Sequence, residues 1–306
     1  MGKSKRKLYN SEKINNFREL VDRYKKLYFN KTAFIYKETP SSTEHIKIGY
    51  NTFIADIEAL GTALLSLNLE NKKIAILSPN RYEWCVSYLA ITTSNMVVVP
   101  LDKSLPENEI VDLINRSEVE GVIFDKKYSE VFEKILKNNP KHLKHCICMD
   151  NTDNFISYTS LIQKGKTLLS NGDTNYSNIK IDNNKMSIML FTSGTTSISK
   201  AVALSQANIC EDIYALSQMT NIKKSDTFLS FLPMHHTFES TCTFLYGTYS
   251  GITIAFCDGI KYIQKNLAEF QITGFVCVPL MLEIIYKKLR KGIEEQRKTK
   301  INCIYE

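Results

Sequence analysis

The feature that most constrains the fold is a rhythm, in which short apolar runs rich in β-branched residues alternate with amphipathic stretches along most of the chain. Lys73-Ile74-Ala75-Ile76-Leu77 is such a run, closed by the turn Ser78-Pro79-Asn80. Residues 81–93 follow, with Trp84, Tyr88 and Ile91 at helical spacing. The unit repeats as a strand over 96–100, a helix over 106–116 opened by a proline in its first turn, and a strand over 121–124. Parallel neighbours need a crossover connection, usually a helix, so this alternation predicts an α/β protein with largely parallel sheets.

Upstream, residues 12–28 read as an N-terminal helix, and Thr52 is placed to cap a helix running to about residue 67. The Asn-, Asp-, Ser- and Gly-rich stretch 171–185 is the best candidate for a linker. The division expected is therefore a tail and helix over 1–30, a first α/β subdomain over 31–170, the linker, and a second, incomplete subdomain over 186–306. In that second part strands are expected at 186–191, 201–204, 227–232, 252–256 and 272–278. Ser205 should cap a helix to about residue 219, and a last helix should run from 280 to about 296. No solenoid repeat or low-complexity tract is present.

With 306 residues, 43 % hydrophobic and 23 % charged, the chain has material for a sizeable core. Its longest apolar runs, 96–101 and 251–257, fall far short of the ~20 residues that span a bilayer. The opening Met1-Gly2-Lys3-Ser4-Lys5-Arg6-Lys7 is basic without a following apolar stretch, and Arg6 stands where myristoylation wants Ser or Thr. A cytoplasmic protein with a solvated basic tail is expected. The net charge of +7 is spread along the chain without interleaved aromatics, which argues against nucleic acid and for solubility, with weak peripheral contact to acidic membranes as a secondary expectation. The eight cysteines form no Cys-x-x-Cys pair and read as reduced core residues. His142, His145, Cys146 and Cys148 match no zinc-knuckle spacing, and a helix end followed by a strand is the expected structure there.

The chemistry is concentrated in Phe191-Thr192-Ser193-Gly194-Thr195-Thr196-Ser197-Ile198-Ser199-Lys200-Ala201-Val202, a hydroxyl-dense loop between two apolar strands. Each Ser or Thr offers a hydroxyl as well as a backbone N–H, Gly194 permits close backbone approach, and Lys200 adds a compact positive charge. That set suits a polyphosphate. Rival motifs fail on counting. A Walker A loop would place Gly at Ser199 and Ser or Thr at Ala201, and no two glycines in the chain are separated by a single residue as a dinucleotide fingerprint requires. Gly247-Thr248-Tyr249-Ser250-Gly251 has the outer glycines of a hydrolase elbow but Tyr249 at the nucleophile position.

The loop resembles the signature phosphate loop of the superfamily of acyl-CoA synthetases, firefly-type luciferases and peptide-synthetase adenylation domains, usually Thr-Ser-Gly-Thr-Thr-Gly-x-Pro-Lys-Gly-Val. Residues 192 to 196, 200 and 202 match. Leu204-Ser205-Gln206-Ala207-Asn208-Ile209 and Leu232-Pro233-Met234-His235-His236-Thr237-Phe238-Glu239 resemble the segments that follow it. Ser78-Pro79-Asn80-Arg81-Tyr82-Glu83-Trp84 and Val99-Pro100-Leu101 resemble the early core, so the likeness spans about residues 30 to 290. The fold it implies is the N-terminal domain of an acyl-CoA synthetase, two stacked and largely parallel α/β subdomains. It implies that Thr192, Ser193, Gly194, Thr195, Thr196 and Lys200 hold the β- and γ-phosphates of ATP, that Thr192 adjoins Mg2+, and that His236 and Phe238 line a pocket shared by adenine and acyl group. The form of the histidine segment resembles bacterial long-chain fatty acid ligases, whose substrates are ATP, a fatty acid and coenzyme A.

The chain departs from the pattern at Ser197 and Ala201, where the family has glycine, and at Ser199, where it has proline. A Cβ is costly where φ must be positive, and losing proline widens the unbound ensemble, so weakened ATP affinity is expected. The family's Tyr-x-x-Thr-Glu and ribose-binding Thr-Gly-Asp segments, its hinge and its C-terminal lysine have no counterpart in the 306 residues; Asn171-Gly172-Asp173 reads as a turn. The reading is the N-terminal portion of a long-chain fatty acid–CoA ligase, not competent for full turnover as this chain and with an exposed edge prone to self-association. The alternative is a stand-alone or decayed ATP-binding or scaffold module.

Overall fold

The computed structural model describes residues 8–192, 199–284, 286–287 and 290–294. In chain order the elements are helix α1 (Phe17–Leu27), strands β1 (Thr32–Tyr36) and β2 (Ile46–Gly49), α2 (Tyr50–Leu65), β3 (Lys73–Leu77), α3 (Tyr82–Thr92), β4 (Val97–Pro100), α4 (Glu107–Ser117), β5 (Gly121–Phe124), α5 (Ser129–Lys137), β6 (His145–Cys148), β7 (Ile156–Ser157) and α6 (Tyr158–Ser170). They continue with α7 (Asn175–Asn178), β8 (Met186–Thr192), β9 (Lys200–Ser205), α8 (Gln206–Met219), β10 (Thr227–Ser230), α9 (Tyr246–Tyr249), β11 (Thr253–Phe256), α10 (Ile263–Glu269) and β12 (Gly274–Phe275). A seven-stranded sheet runs β7-β6-β5-β3-β4-β8-β9 and a five-stranded sheet runs β12-β10-β11-β1-β2. All pairs are parallel except the two hairpins, β1 with β2 and β8 with β9.

The central strands read as continuous apolar runs because both of their faces are covered. Ile74, Ile76, Val98, Ile123 and Ile147 point into the large core shared with α1, α2 and α3, while their neighbours Ala75, Leu77, Val99, Val122, Phe124 and Cys148 point into a second core under α4 and α5. The first core also takes Phe34, Ile254 and Phe256 from the other sheet, so α2 and α3 lie between the two. Trp84 stacks on Tyr88 at 5.2 Å and meets Phe244 edge-on at 6.1 Å. Four cysteines, Cys85, Cys146, Cys148 and Cys210, are buried free thiols.

The sheets do not divide at the stretch 171–185. β8 and β9, expected in the second subdomain, extend the first sheet, and β1 and β2, expected in the first, complete the second. The stretch itself contains α7, whose Tyr176 is buried and lies 3.6 Å beneath the Arg18 guanidinium. Gln206 ties the halves together: its Oε1 accepts from Phe17 N at 2.8 Å, and its Nε2 donates to Thr92 O and Ser187 Oγ at 2.9 and 3.1 Å.

Local chemistry moves several helix starts. α1 begins at Phe17 rather than near residue 12, since Asn16 Oδ1 accepts from Glu19 N and the Glu19 carboxylate accepts from Asn15 N. α2 begins at Tyr50, ahead of the cap expected at Thr52, because Tyr50 N and Asn51 N donate to the carbonyls of Lys31 and Phe29 and need no side-chain cap. Ser205 caps α8 as expected, in a capping box with Asn208. The strand expected over 272–278 pairs only at Gly274–Phe275 on the sheet edge. The helical residues beyond it expose Leu280, Leu282, Tyr286 and Ile293. Among the described residues, no helix is long and apolar enough to cross a membrane.

Candidate functional site

The parallel strands β3, β4, β8 and β10 deliver four connections that carry polar groups: Ser78-Pro79-Asn80, Leu101-Asp102, the Thr192 end of the β8–β9 hairpin, and the segment Phe231 to Phe238. In open α/β sheets the ligand crevice lies beyond the carboxyl ends of the strands.

Within the hairpin Thr192 pairs across to Lys200 and Phe191 to Ala201, so the neck of the hydroxyl-rich loop is closed by the two outermost candidate residues. Directly opposed residues on an antiparallel pair share a sheet face, with Cβ atoms about 5 Å apart. Both side chains are exposed, and Lys200 forms no ion pair with any described carboxylate. Ser193, Gly194, Thr195 and Thr196 lie outside the described residues, as does Ser197. The foot of the loop is gripped from α4, where Arg116 donates to Ser199 O at 2.6 Å and lies over the Phe191 ring at 5.7 Å while pairing with Asp112 at 3.0 Å. Val98 on β4 is in register with Ile188 on β8, and four residues on from each stand Asp102 and Thr192.

The histidine segment is held from the other sheet. Asn80 Nδ2 donates to Ser230 Oγ at 3.0 Å and Leu232 O at 2.7 Å, and its Oδ1 accepts from Met234 N at 3.1 Å. His236 and Phe238 are exposed, Phe238 by 47 %. His235 packs against His236 with ring centroids 4.1 Å apart, and its side chain is only 10 % exposed. Burial pushes the His235 imidazole down to about 4 against the pull of Asp102, so the ring is neutral near pH 7. Its Nε2 is buried without a hydrogen-bond partner among the described residues and 3.6 Å from Asp102 Oδ2, beyond bonding distance.

Behind the segment the chain continues as a π-helix, Glu239–Leu245, a rare form often found beside functional sites. The Glu239 carboxyl, 1 % exposed, accepts from Ser230 Oγ at 2.7 Å and Thr243 Oγ1 at 2.9 Å. Burial outweighs those two donors and lifts it to about 7.

The structure thus brings Thr192 to Lys200 at the hairpin neck, and places His236 and Phe238 on the segment anchored by Asn80. Asp102, Arg116 and the burial of Glu239 were not read from the sequence as parts of a site. Ser199 lies 83 residues from Arg116, and the partners of the anchoring Asn80 lie 150 or more residues from it, with no local pattern to announce them.

A hydroxyl-rich hairpin thus extends from the carboxyl end of one largely parallel sheet and a histidine segment from that of the other, in an α/β protein. Comparison with known proteins agrees: the profile of the AMP-binding enzyme family matches residues 21–302, and the chain belongs to that family. It is 29 % identical over 265 residues to long-chain-fatty-acid–CoA ligase 5 of Mus musculus, covering 79 % of this chain and 38 % of the mouse protein. It is 26 % identical over 266 residues to the chloroplastic long-chain-fatty-acid–[acyl-carrier-protein] ligase AEE15 of Arabidopsis thaliana, covering 81 % and 36 %. The chain therefore spans well under half the length of these relatives. A solved long-chain-fatty-acid–CoA ligase from Archaeoglobus fulgidus superposes with a TM-score of 0.81 at 16 % identity, covering 94 % of this chain and 57 % of that one. At that identity the likeness concerns the fold.

Proposed function

We propose that the chain is the ATP-gripping portion of a long-chain fatty acid–CoA ligase. One observation carries the reading: a lysine without an ion-pair partner among the described residues faces an exposed threonine across the neck of a hydroxyl-rich hairpin at the carboxyl end of a parallel sheet. Lys200 supplies charge to the β- and γ-phosphates, Ser193 to Thr196 supply backbone N–H and hydroxyl donors, and Thr192 stands where a magnesium ion would be shared with the phosphates. Bound Mg2+ would neutralise phosphate charge. His236 and Phe238 line the part of the crevice that takes adenine and acyl group, and the neutral His235 behind them lets that wall stay uncharged. The reaction served is attack of a fatty carboxylate on the α-phosphate of ATP with release of pyrophosphate, followed by displacement of AMP by the thiol of coenzyme A.

Isothermal titration of MgATP tests this. Lys200→Ala should weaken binding by about 1.5–3 kcal/mol, roughly ten- to hundredfold. Lys261→Ala, at an exposed turn, should leave it unchanged. Equal affinity of parent and Lys200→Ala, or no binding by the parent, overturns the phosphate grip. Acid-dependent pyrophosphate release separates a ligase that turns over from a binding module that does not.

A further inference from the structure

Ser230 and Glu239 stand nine residues apart at the two feet of the segment that carries His235, His236 and Phe238, and both are buried. They are bonded directly. Asn80 donates to Ser230 Oγ, Ser230 donates to one oxygen of Glu239, and Thr243 donates to the other. Both carboxylate oxygens are therefore acceptors and each hydroxyl hydrogen is spent on the carboxylate. Asn80 spends its remaining N–H and its carbonyl on Leu232 and Met234, inside the same segment. No described cation pairs with Glu239, although a buried carboxylate without one is a costly choice for mere packing.

We propose that Glu239 is a positioning residue of this site: its ionised carboxylate draws the end of β10 and the π-helix together across the two feet of the segment, and so sets how His236 and Phe238 are presented to the crevice. This rests on the reading that His236 and Phe238 line the nucleotide and acyl pocket. Protonation alters the arrangement, because a protonated Glu239 must itself donate. Ser230 already accepts from Asn80, so the change falls on Thr243, whose hydrogen can turn to a carbonyl of its own helix. Among the described residues the titratable groups facing Glu239 are the Cys85 thiol from α3, which also faces Glu83, and the Cys242 thiol on its own helix, which also faces Asp212 of α8. Burial lifts both thiols, so the carboxyl titrates alone near neutrality.

The test uses the full chain with 13C in its histidine rings, of which there are five. In a His236→Gln background, His235 does not itself titrate near pH 7 and serves as reporter. Its ring signal should show an inflection near pH 7 that Glu239→Gln removes. Thr243→Val, which deletes one hydrogen bond to the charged form, should move that inflection upward by about one pH unit or more. A His235 profile untouched by Glu239→Gln overturns the proposal. If that variant does not fold, an unmoved inflection in Thr243→Val overturns it equally. MgATP affinity is measured alongside with His236 intact: a responding His235 signal with no nucleotide bound by the parent would leave the clamp standing and remove the nucleotide reading instead.

Discussion

Replacing Glu239 by Gln should change how the stability of the chain depends on pH. The carboxyl ordinarily titrates at 4.5, and in the fold burial lifts it to about 7. The folded state thus holds the proton more tightly than the unfolded chain. Stability contributed by the protonated form is complete below 4.5 and falls as pH rises towards 7, beyond which the full penalty remains. At 1.36 kcal/mol per pH unit the penalty is about 3 kcal/mol, of which roughly 2.5 kcal/mol develops between pH 5 and pH 8. Gln has the same shape, accepts from Ser230 and cannot titrate. Its cost in reorienting Thr243 is the same at every pH, so the pH-dependent part isolates the carboxyl. Urea unfolding of both proteins at pH 5, 6, 7 and 8 gives the difference directly. The parent should lose about 2–3 kcal/mol relative to Glu239→Gln over that range. A difference that stays flat would refute the reasoning and mean that the carboxyl is solvated or paired in solution.

Two further substitutions test the packing and the loop. Gly165 on α6 crosses α2 so closely that an added Cβ would sit 1.8 Å from the Ala59 carbonyl oxygen, so Gly165→Ala should destabilise by about 1–3 kcal/mol or more despite a helix-propensity gain of about 1 kcal/mol. An unchanged or raised Tm would contradict that contact. Arg116→Ala frees Ser199 O at the foot of the hairpin and should weaken MgATP binding severalfold, while stability changes by less than about 1 kcal/mol, since its pair with Asp112 is exposed. Equal affinities in titration would show that the guanidinium does not hold the loop.

Much of the framework was legible because its causes are local. β3 and β5 fall on the runs read from the sequence, residues 73–77 and 121–124, since uninterrupted apolar stretches of that length between turn residues belong to strands covered on both faces. Ser205 was legible as a helix cap and forms one, Asn208 completing the capping box in the structure. The phosphate-loop candidates Thr192 and Lys200 were legible as a spacing of hydroxyls, glycine and lysine, while the hairpin register that makes them neighbours came from the structure.

What the residues could not announce is partnership across the chain. That β1 and β2 would join the sheet of β10 and β11, and β8 and β9 that of β4, depends on which edges remain open once the central strands have paired. Glu239 reads in sequence as a charge at the end of a histidine motif, with nothing nearby to mark it as buried. Only its burial in the fold lifts it towards neutrality, against the two hydrogen bonds it accepts from Ser230 and Thr243. By itself the sequence determined the α/β class, the position of the hydroxyl-rich loop and the family, all encoded in periodicity and short spacings. The tertiary structure alone decided sheet membership, the burial of His235 and Glu239, and the clamp on the histidine segment, because desolvation and long-range hydrogen bonding arise only when distant stretches of chain exclude water together.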